Sequence, residues 1–212
     1  MNKAGNPEGY LMDVLRSVPT SGWPHAYGNK SEGVPFLTLT AVLNFKYDGT
    51  QVKYTDKSVD QNGGYWAQPG DIFMSRSNTP DLVGQAAIYD GTLARVIFPD
   101  LLIRLQLDTN KADLRFVHYW LMSQAARNYI TSNARGSSGT MKKITLEMVR
   151  VIPFPSNLGR EQQQHIANGI NRKVVIAKNL LAATELQIEA VNALPNSFLN
   201  ETFGGFVPPV ED

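Results

Sequence analysis

Apolar residues in the last third of the chain recur at alternating spacings of three and four. This pattern places one stripe on a single side of an α-helix and forms the two core positions of a heptad repeat. It predicts a helix from Ile166 to Leu194, about 43 Å long at roughly 1.5 Å per residue, which Pro195 should stop or kink. The stripe consists of Ala167, Ile170, Val174, Ala177, Leu181, Thr184, Ile188 and Val191.

The residues of this stripe are small or β-branched and are flanked by polar positions, which favours close approach of a second helix. We therefore expect Ile170, Val174, Ala177, Leu181, Thr184, Ile188 and Val191 to form a dimerisation helix. Ile166, Ile176 and Leu180 widen the apolar surface, so a helix packed on its own domain remains an alternative.

Before this helix, short runs of strand length and β-rich composition alternate with glycine-containing turns, which predicts a mixed or antiparallel sheet. We expect helices at Tyr10 to Val18 and at Ala112 to Ser132, a short segment opening at Thr145, and extended chain from Val151 to Pro155. The predicted strands are Val34 to Thr40, Asp71 to Ser75, Gln85 to Tyr89, Ala94 to Phe98 and Leu101 to Leu107.

These elements define an α+β fold in which a β-rich globular domain precedes a long coiled-coil-type helix. We place the domain at residues 1–157 and the helix with its capping tail at residues 158–207. The 212 residues include no cysteine, which excludes a disulfide scaffold and cysteine-ligated zinc. No signal peptide precedes the domain and the apolar runs are too short to span a bilayer, so we expect a cytoplasmic protein without membrane contact.

The net charge of +1 hides a local excess of positive charge between residues 101 and 150. This block contains eight basic residues against three acidic ones: Arg104, Lys111, Arg115, Arg127, Arg135, Lys142, Lys143 and Arg150. A local basic patch is what contacts to phosphates require, although a solvated helix face would have the same composition.

The sequence contains no recognisable catalytic or metal-binding pattern. His25, His118 and His165 lack the spacing of metal ligands, and no phosphate-binding Walker loop is present. Asp100, Asp108 and their neighbours match no nuclease spacing. We therefore expect neither catalytic residues nor a metal site in this chain.

Two polar loops could instead hold phosphates or base edges. The first consists of Ser75, Arg76, Ser77, Asn78 and Thr79, and the second of Arg135, Gly136, Ser137 and Ser138, followed by Lys142 and Lys143. Arginine and asparagine can each make paired hydrogen bonds to bases, and hydroxyls and backbone amides can bind phosphates. The alternative is ordinary turn formation, for which the same residue types are common.

The segment Gln68 to Pro80, with Gly-Asp-Ile-Phe-Met-Ser-Arg-Ser at its centre, resembles the target recognition domains of type I restriction-modification specificity subunits. Later segments are similar to that family in the same order. They are Leu82 to Gly84, Ala86 to Ile88, Arg135 to Ser138, Ile152 to Pro155, Glu161 to Ile166, and the stretch from Phe198 through Phe203 to Val207.

The resemblance implies a non-catalytic module that reads double-stranded DNA, with Arg76 and Asn78 nearest the bases. Family members carry two recognition domains and two helices, whereas this chain carries one of each, as a half-subunit or a fragment would. A half-subunit would form a homodimer through its helix and read a split, palindromic target, with half-sites about 12 base pairs apart for a 43 Å helix. A methyltransferase subunit and a restriction or translocase subunit would supply S-adenosylmethionine, ATP and Mg; this chain would hold no cofactor.

Two rival interpretations remain at this point. A β-rich assembly protein of the virion or adhesin type would also combine a sheet with an oligomerising helix, but the basic residues beside two polar loops would have no role in it. An enzyme with a cryptic site would need a carboxylate cluster that the sequence does not display.

Overall fold

The computed structural model describes residues 8–25, 32–136 and 140–204. It divides into two compact units, Met1–Ala167 and Asn168–Asp212. Among the described residues, the first unit contains all the sheets, both 3-10 helices and three of the four α-helices, and the second is the main part of one long α-helix. The predicted α+β class is confirmed.

The described residues form ten short strands, two 3-10 helices and four α-helices. The 3-10 helices are Leu11–Val14 and Leu39–Phe45, and the α-helices are α1 Leu114–Met122, α2 Gln124–Asn133, α3 Leu146–Arg150 and α4 Arg160–Phe203. The strands are β1 Gly9–Tyr10, β2 Thr20–Ser21, β3 Val34–Leu37, β4 Val52–Thr55, β5 Ile72–Ser75, β6 Ser77–Asn78, β7 Ala86–Ile88, β8 Leu102–Leu105, β9 Lys142–Lys143 and β10 Pro153–Phe154.

The central sheet has the strand order β2-β8-β5-β7, and its pairs are antiparallel. Strand β5 pairs with β7 on one edge and with β8 on the other, so its backbone is hydrogen-bonded on both sides. The runs predicted around β5, β7 and β8 are therefore strands, and the predicted antiparallel sheet is confirmed.

Both faces of β5 are buried, and successive side chains point to opposite faces, as in any strand. Ile72 and Met74 belong to a core shared with α1 and α2. Phe73 belongs to a second core on the other face, where its ring lies 4.8 Å from that of Phe98. The sheet is thus the middle layer between two apolar cores.

The prediction of a strand from Ala94 to Phe98 is wrong. Val96, Ile97 and Phe98 are fully buried, but their backbones bond to separate segments of the chain. Ile97 N–H donates to Pro35, and the Val96 carbonyl accepts from the N–H of Ala67. Because these partners do not lie on one neighbouring strand, the segment forms only isolated bridges.

The predicted helix at Tyr10 to Val18 is reduced to the 3-10 turn Leu11–Val14. Long-range pairing prevails over local helix formation here. Leu11 N–H donates to the Ile152 carbonyl at 2.8 Å, and Leu15 forms a bridge with Leu107.

The single helix predicted from Ala112 to Ser132 is also wrong, because Ser123 divides it into α1 and α2. The backbone of Ser123 is extended, with ψ at 153°, and its hydroxyl accepts a hydrogen bond from Ala126 N–H. Serine is a favoured N-cap residue, since its side chain satisfies an otherwise unpaired amide of the first turn. Thr145 caps α3 in the same way, at the predicted opening of that segment.

The first turns of α4 are part of the globular unit, and Gln163 fixes them there. Its side chain is fully buried; Oε1 accepts from the backbone N–H of Asp113 at 3.0 Å, and Nε2 donates to the Leu158 carbonyl at 2.7 Å. The Asp113 carboxylate in turn caps α1 by accepting from the N–H groups of Arg115 and Phe116.

In the second unit, α4 continues to Phe203, so of the two predicted effects of Pro195, a stop or a kink, the stop is wrong. One proline removes one backbone donor but leaves the hydrogen bonds of the other turns in place. The whole helix of 44 residues is about 66 Å long at roughly 1.5 Å per residue.

Residues 171–204 of α4 are all exposed, the heptad positions Leu181 and Ile188 by 60% and 54%. Phe198, seven residues beyond Val191, extends the same stripe. Within the described ranges, no helix combines the length and the apolar composition needed to cross a bilayer.

Replacing Gln163 with Leu should lower the free energy of unfolding by about 2–3 kcal/mol, because the Asp113 amide and the Leu158 carbonyl would lose a buried partner. Urea denaturation monitored by circular dichroism measures this change. The matched control is Gln164→Leu, on the partly exposed side of the same turn. Equal stability of the two variants would contradict the assigned role of Gln163.

Candidate nucleic-acid interface

The two polar loops singled out from the sequence meet in one small antiparallel ladder. Strand β6 pairs with β9, so that Ser77 lies opposite Lys143 and Asn78 opposite Lys142. On its other edge Lys143 pairs with Arg135 through two backbone hydrogen bonds of 2.9 and 2.7 Å. We call these five residues the basic ladder.

Residues directly opposite one another in a ladder project from the same face. Ser77, Lys143 and Arg135 therefore share one face, and Asn78 and Lys142 share the other. Arg135 and Lys143 are exposed, Lys142 and Asn78 are half-buried, and Ser77 is buried. The ladder thus presents cations on both of its faces.

Gly136 allows the two arms of this ladder to approach each other closely. A Cβ atom at Gly136 would lie 2.2 Å from the backbone oxygen of Met141, a distance that no side chain tolerates. Ser137 and Ser138, which the sequence also predicts to contact DNA, lie outside the described residues.

The three cations of the ladder differ from the other basic residues between 101 and 150 in their side-chain partners. In the described part of the chain, Arg135, Lys142 and Lys143 form no ion pair, whereas the other five basic residues are engaged elsewhere. Arg104, Arg115 and Arg150 pair with Asp71, Asp113 and Glu147, Lys111 donates to the Asp13 carbonyl, and Arg127 donates to the carbonyls of Val83 and Asp81.

The first polar loop is only partly available to a ligand. Ser75 is fully buried, and its hydroxyl donates to the Leu82 carbonyl at 2.8 Å, so its position is structural. Arg76 is half-buried, with its guanidinium 3.3 Å from both Ser21 Oγ and the Asp100 carbonyl.

Asn78 and Thr79 complete this loop. Asn78 is half-buried, and its Oδ1 accepts from the backbone N–H of Thr79, which leaves the Nδ2 donors of Asn78 available. Thr79 is exposed. Asn78 and Thr79 are therefore the members of the loop with the most accessible polar groups.

Arg127, a residue that the sequence did not distinguish from its basic neighbours, supports the turn that follows β6. It reaches from α2 to donate to the Val83 carbonyl at 2.8 Å and the Asp81 carbonyl at 3.1 Å. Burial lowers the pKa of the Arg127 guanidinium, and the nearby Asp81 partly offsets that effect. Gly84 closes the turn with φ at +71°, a conformation that favours glycine.

Among the described residues, no group of three or more His, Asp or Glu side chains is placed to hold a metal ion. The ladder itself carries three cationic side chains and one amide, which can form hydrogen bonds and electrostatic contacts with an anionic group.

The chain resembles type I restriction specificity subunits in sequence. It is 25% identical over 198 residues to a protein of Methanocaldococcus jannaschii that is provisionally named as the specificity subunit of the type I restriction enzyme MjaX. The match covers 91% of this chain but only 43% of that relative, so the chain spans less than half of the relative's length. No protein-family model matches the chain.

Solved structures of type I specificity subunits share its fold. The HsdS subunit from Thermoanaerobacter tengcongensis superposes with a TM-score of 0.60 at 18% identity, over 96% of this chain and 52% of that one. The S subunit from M. genitalium gives a TM-score of 0.52 at 18% identity, over 91% and 47% of the two chains.

A third similar chain comes from work on assembly and conformational transition of the type I R-M system, with a TM-score of 0.55 at 19% identity. It is matched over 90% of this chain and 45% of its own length. The predicted resemblance to specificity subunits is confirmed, and each match covers about half of the subunit concerned.

Replacing Lys143 with Glu should raise the free energy of unfolding by about 0.2–1 kcal/mol, because opposite charges would then face each other where two cations now do. Thermal denaturation at low salt measures the change. The matched control is Lys142→Glu, opposite the uncharged Asn78, which should bring no such gain. A loss of stability in Lys143→Glu alone would contradict the proximity of Lys143 and Arg135.

Proposed function

We propose that this chain is a sequence-specific DNA-binding specificity subunit of a type I restriction-modification complex, without catalysis of its own. The observation that carries the proposal is the basic ladder, in which the backbone holds three cations that have no acidic partner among the described residues, beside Arg76 and Asn78. The similarity to specificity subunits supports it.

Phosphate contacts position a protein on DNA, and contacts to base edges specify the sequence. In this division, Arg135, Lys142 and Lys143 bind phosphates. A two-stranded ribbon such as β6 and β9 is narrow enough for the major groove, where Asn78 can pair with adenine and Arg76 with guanine. Arg76 would first have to exchange its weak contacts with Ser21 and Asp100 for contacts with DNA.

One recognition domain can read only one half of a bipartite target. We infer that two copies pair through the exposed stripe of α4 and place their domains on the two half-sites. A two-fold dimer reads a palindromic split sequence, since both copies present the same surface.

Methylation and cleavage then belong to other subunits of the complex. A methyltransferase subunit would bring S-adenosylmethionine, and a restriction or translocase subunit would use ATP and Mg. A soluble complex acting on cellular DNA would reside in the cytoplasm.

The first experiment selects a random duplex pool on the purified chain, with and without a candidate methyltransferase subunit, at two salt concentrations. A retained split motif with two-fold symmetry is expected. Failure to retain DNA in any condition would contradict the proposal and favour the assembly-protein interpretation.

The double variant Arg135→Ala/Lys143→Ala should weaken binding to all sequences alike and reduce the slope of log K against log salt by about 2, since each phosphate contact contributes roughly 1. Asn78→Ala should instead relax the preference at one base pair. The control is Arg115→Ala, whose side chain already pairs with Asp113 and should leave the slope unchanged. An equal slope in the double variant would exclude phosphate contacts by the ladder.

Replacing both Leu181 and Ile188 with Glu should convert the dimer into a monomer, because charge in an apolar helix interface is not tolerated. Sedimentation velocity measures the mass. Asn179→Glu, outside the heptad stripe of the same helix, is the control and should remain dimeric. A monomeric unmodified chain that still selects a symmetric split motif would overturn pairing through α4.

A further inference from the structure

A polar cleft of about 480 Å³ lies in the globular unit, and none of its lining residues belongs to the basic ladder. Its lining includes Gln61, Asn62, Trp66, Gln68, Arg95 and Arg104, together with the backbone of Gly63 and Gly64. The lining thus combines an indole ring, three side-chain amides and two guanidinium groups, and it contains no carboxylate. Its volume lies within the range of roughly 300–1,000 Å³ that is usual for small-ligand sites.

Trp66 and Arg95 form a fixed stacked pair at this cleft. The Arg95 guanidinium carbon lies 4.3 Å from the centroid of the indole ring, and Trp66 Nε1 donates to the Asp60 carbonyl at 2.9 Å. Arg95 also donates to the side-chain oxygen of Gln61. Within the described residues Arg95 has no acidic partner, and its side chain is exposed.

Arg104 forms the inner wall of the cleft. Its side chain is 11% exposed, donates to the Trp66 carbonyl at 3.3 Å, and lies 3.8 Å from the Asp71 carboxylate. The Nε atom of Arg104 is buried, and among the described residues it has no hydrogen-bond partner. Burial lowers the pKa of the Arg104 guanidinium, although Asp71 opposes that shift. A buried donor without a partner is uncommon in folded proteins.

The shape of the cleft determines what it can accept. Groove-reading elements protrude into the duplex, whereas a concave site accepts a group that enters it. Single bases taken out of a helix are recognised by stacking on aromatic rings or arginine planes and by hydrogen bonds to their edges. An anionic group beside the base, such as its phosphate, would lie near the two guanidinium groups and be attracted by their charge.

We propose that this cleft binds one nucleotide unit, with the base stacked on the Trp66–Arg95 pair, its edge facing Gln61, Asn62 and Gln68, and its phosphate facing the arginines. The nucleotide could come from an unpaired position in DNA or from the free nucleotide pool, and the chemistry of recognition is the same. Only the DNA source rests on the function proposed above.

The fluorescence of Trp66 measures binding in the cleft. Trp66 is partly exposed, whereas Trp23 and Trp120 are each only 8% exposed, so its fluorescence should respond most to a ligand in the cleft. The full chain is titrated with each of dAMP, dGMP, dCMP and dTMP, with inorganic phosphate, with a paired duplex, and with the same duplex carrying one bulged nucleotide. We expect saturable quenching by at least one mononucleotide or by the bulged duplex, and none by phosphate alone.

Arg95→Ala should weaken this binding at least ten-fold, and Gln61→Ala should change the preference among bases. Arg115→Ala, an exposed arginine outside the cleft, is the matched control and should bind as the unmodified chain does. Trp66→Phe should abolish the fluorescence change. Quenching only by mononucleotides assigns the free pool, and quenching only by the bulged duplex assigns DNA.

The proposal is overturned if neither mononucleotides nor the bulged duplex quench saturably, or if Arg95→Ala binds as tightly as the unmodified chain. Retention of the paired duplex through the basic ladder is measured on the same samples. Retention without quenching would contradict the cleft alone. Quenching by mononucleotides without retention of any duplex would contradict the DNA-reading function alone.

Discussion

The structure depends on the burial of both faces of β5 at the centre of the antiparallel sheet. Because β5 bonds to β7 and β8 and packs against apolar cores on both sides, its position is fixed in all directions. The chain that leaves it is fixed as well: Ser75 N–H donates to Gln85, and Arg76 N–H donates to Leu101. Strand β6 therefore starts from a rigid base, which the proposed contacts to bases would need, since small displacements weaken directional hydrogen bonds.

From this base, backbone hydrogen bonds bring together groups that repel each other. Arg135 and Lys143 are adjacent because their amides and carbonyls pair, and like charges facing each other in a ladder oppose folding. Most other basic residues of the block are engaged in ion pairs or hold backbone carbonyls. Within the described residues the cations of the ladder have no carboxylate partner, which lowers the stability of the fold but would favour the proposed anionic ligand, a common compromise at functional sites.

The long helix obeys a different constraint. Its first turns are held by buried hydrogen bonds of Gln163, while residues 171–204 expose a continuous apolar stripe. A helix gains most of its stability from packing of its apolar face, and the proposed pairing of two copies would supply that packing. The two functions proposed above would thus lie in separate units, DNA contact in one and association in the other.

Local patterns in the sequence determined the central strands, the capped start of α3 and the long helix, because periodicity and capping act between residues close in the chain. The resemblance to specificity subunits also lay in the sequence, in the segment that forms β5 and β6. Only the tertiary structure decided that Ser75 is buried, that Ser123 divides a helix, and that Ala94 to Phe98 is not a strand. It also decided which three of the eight basic residues, within the described part of the chain, contact neither a carboxylate nor a backbone carbonyl through their side chains. Those outcomes depend on pairing between segments far apart in the chain, as between β6 and β9 or Arg104 and Asp71. Composition and the spacing of residues along the sequence do not determine which distant segments pair.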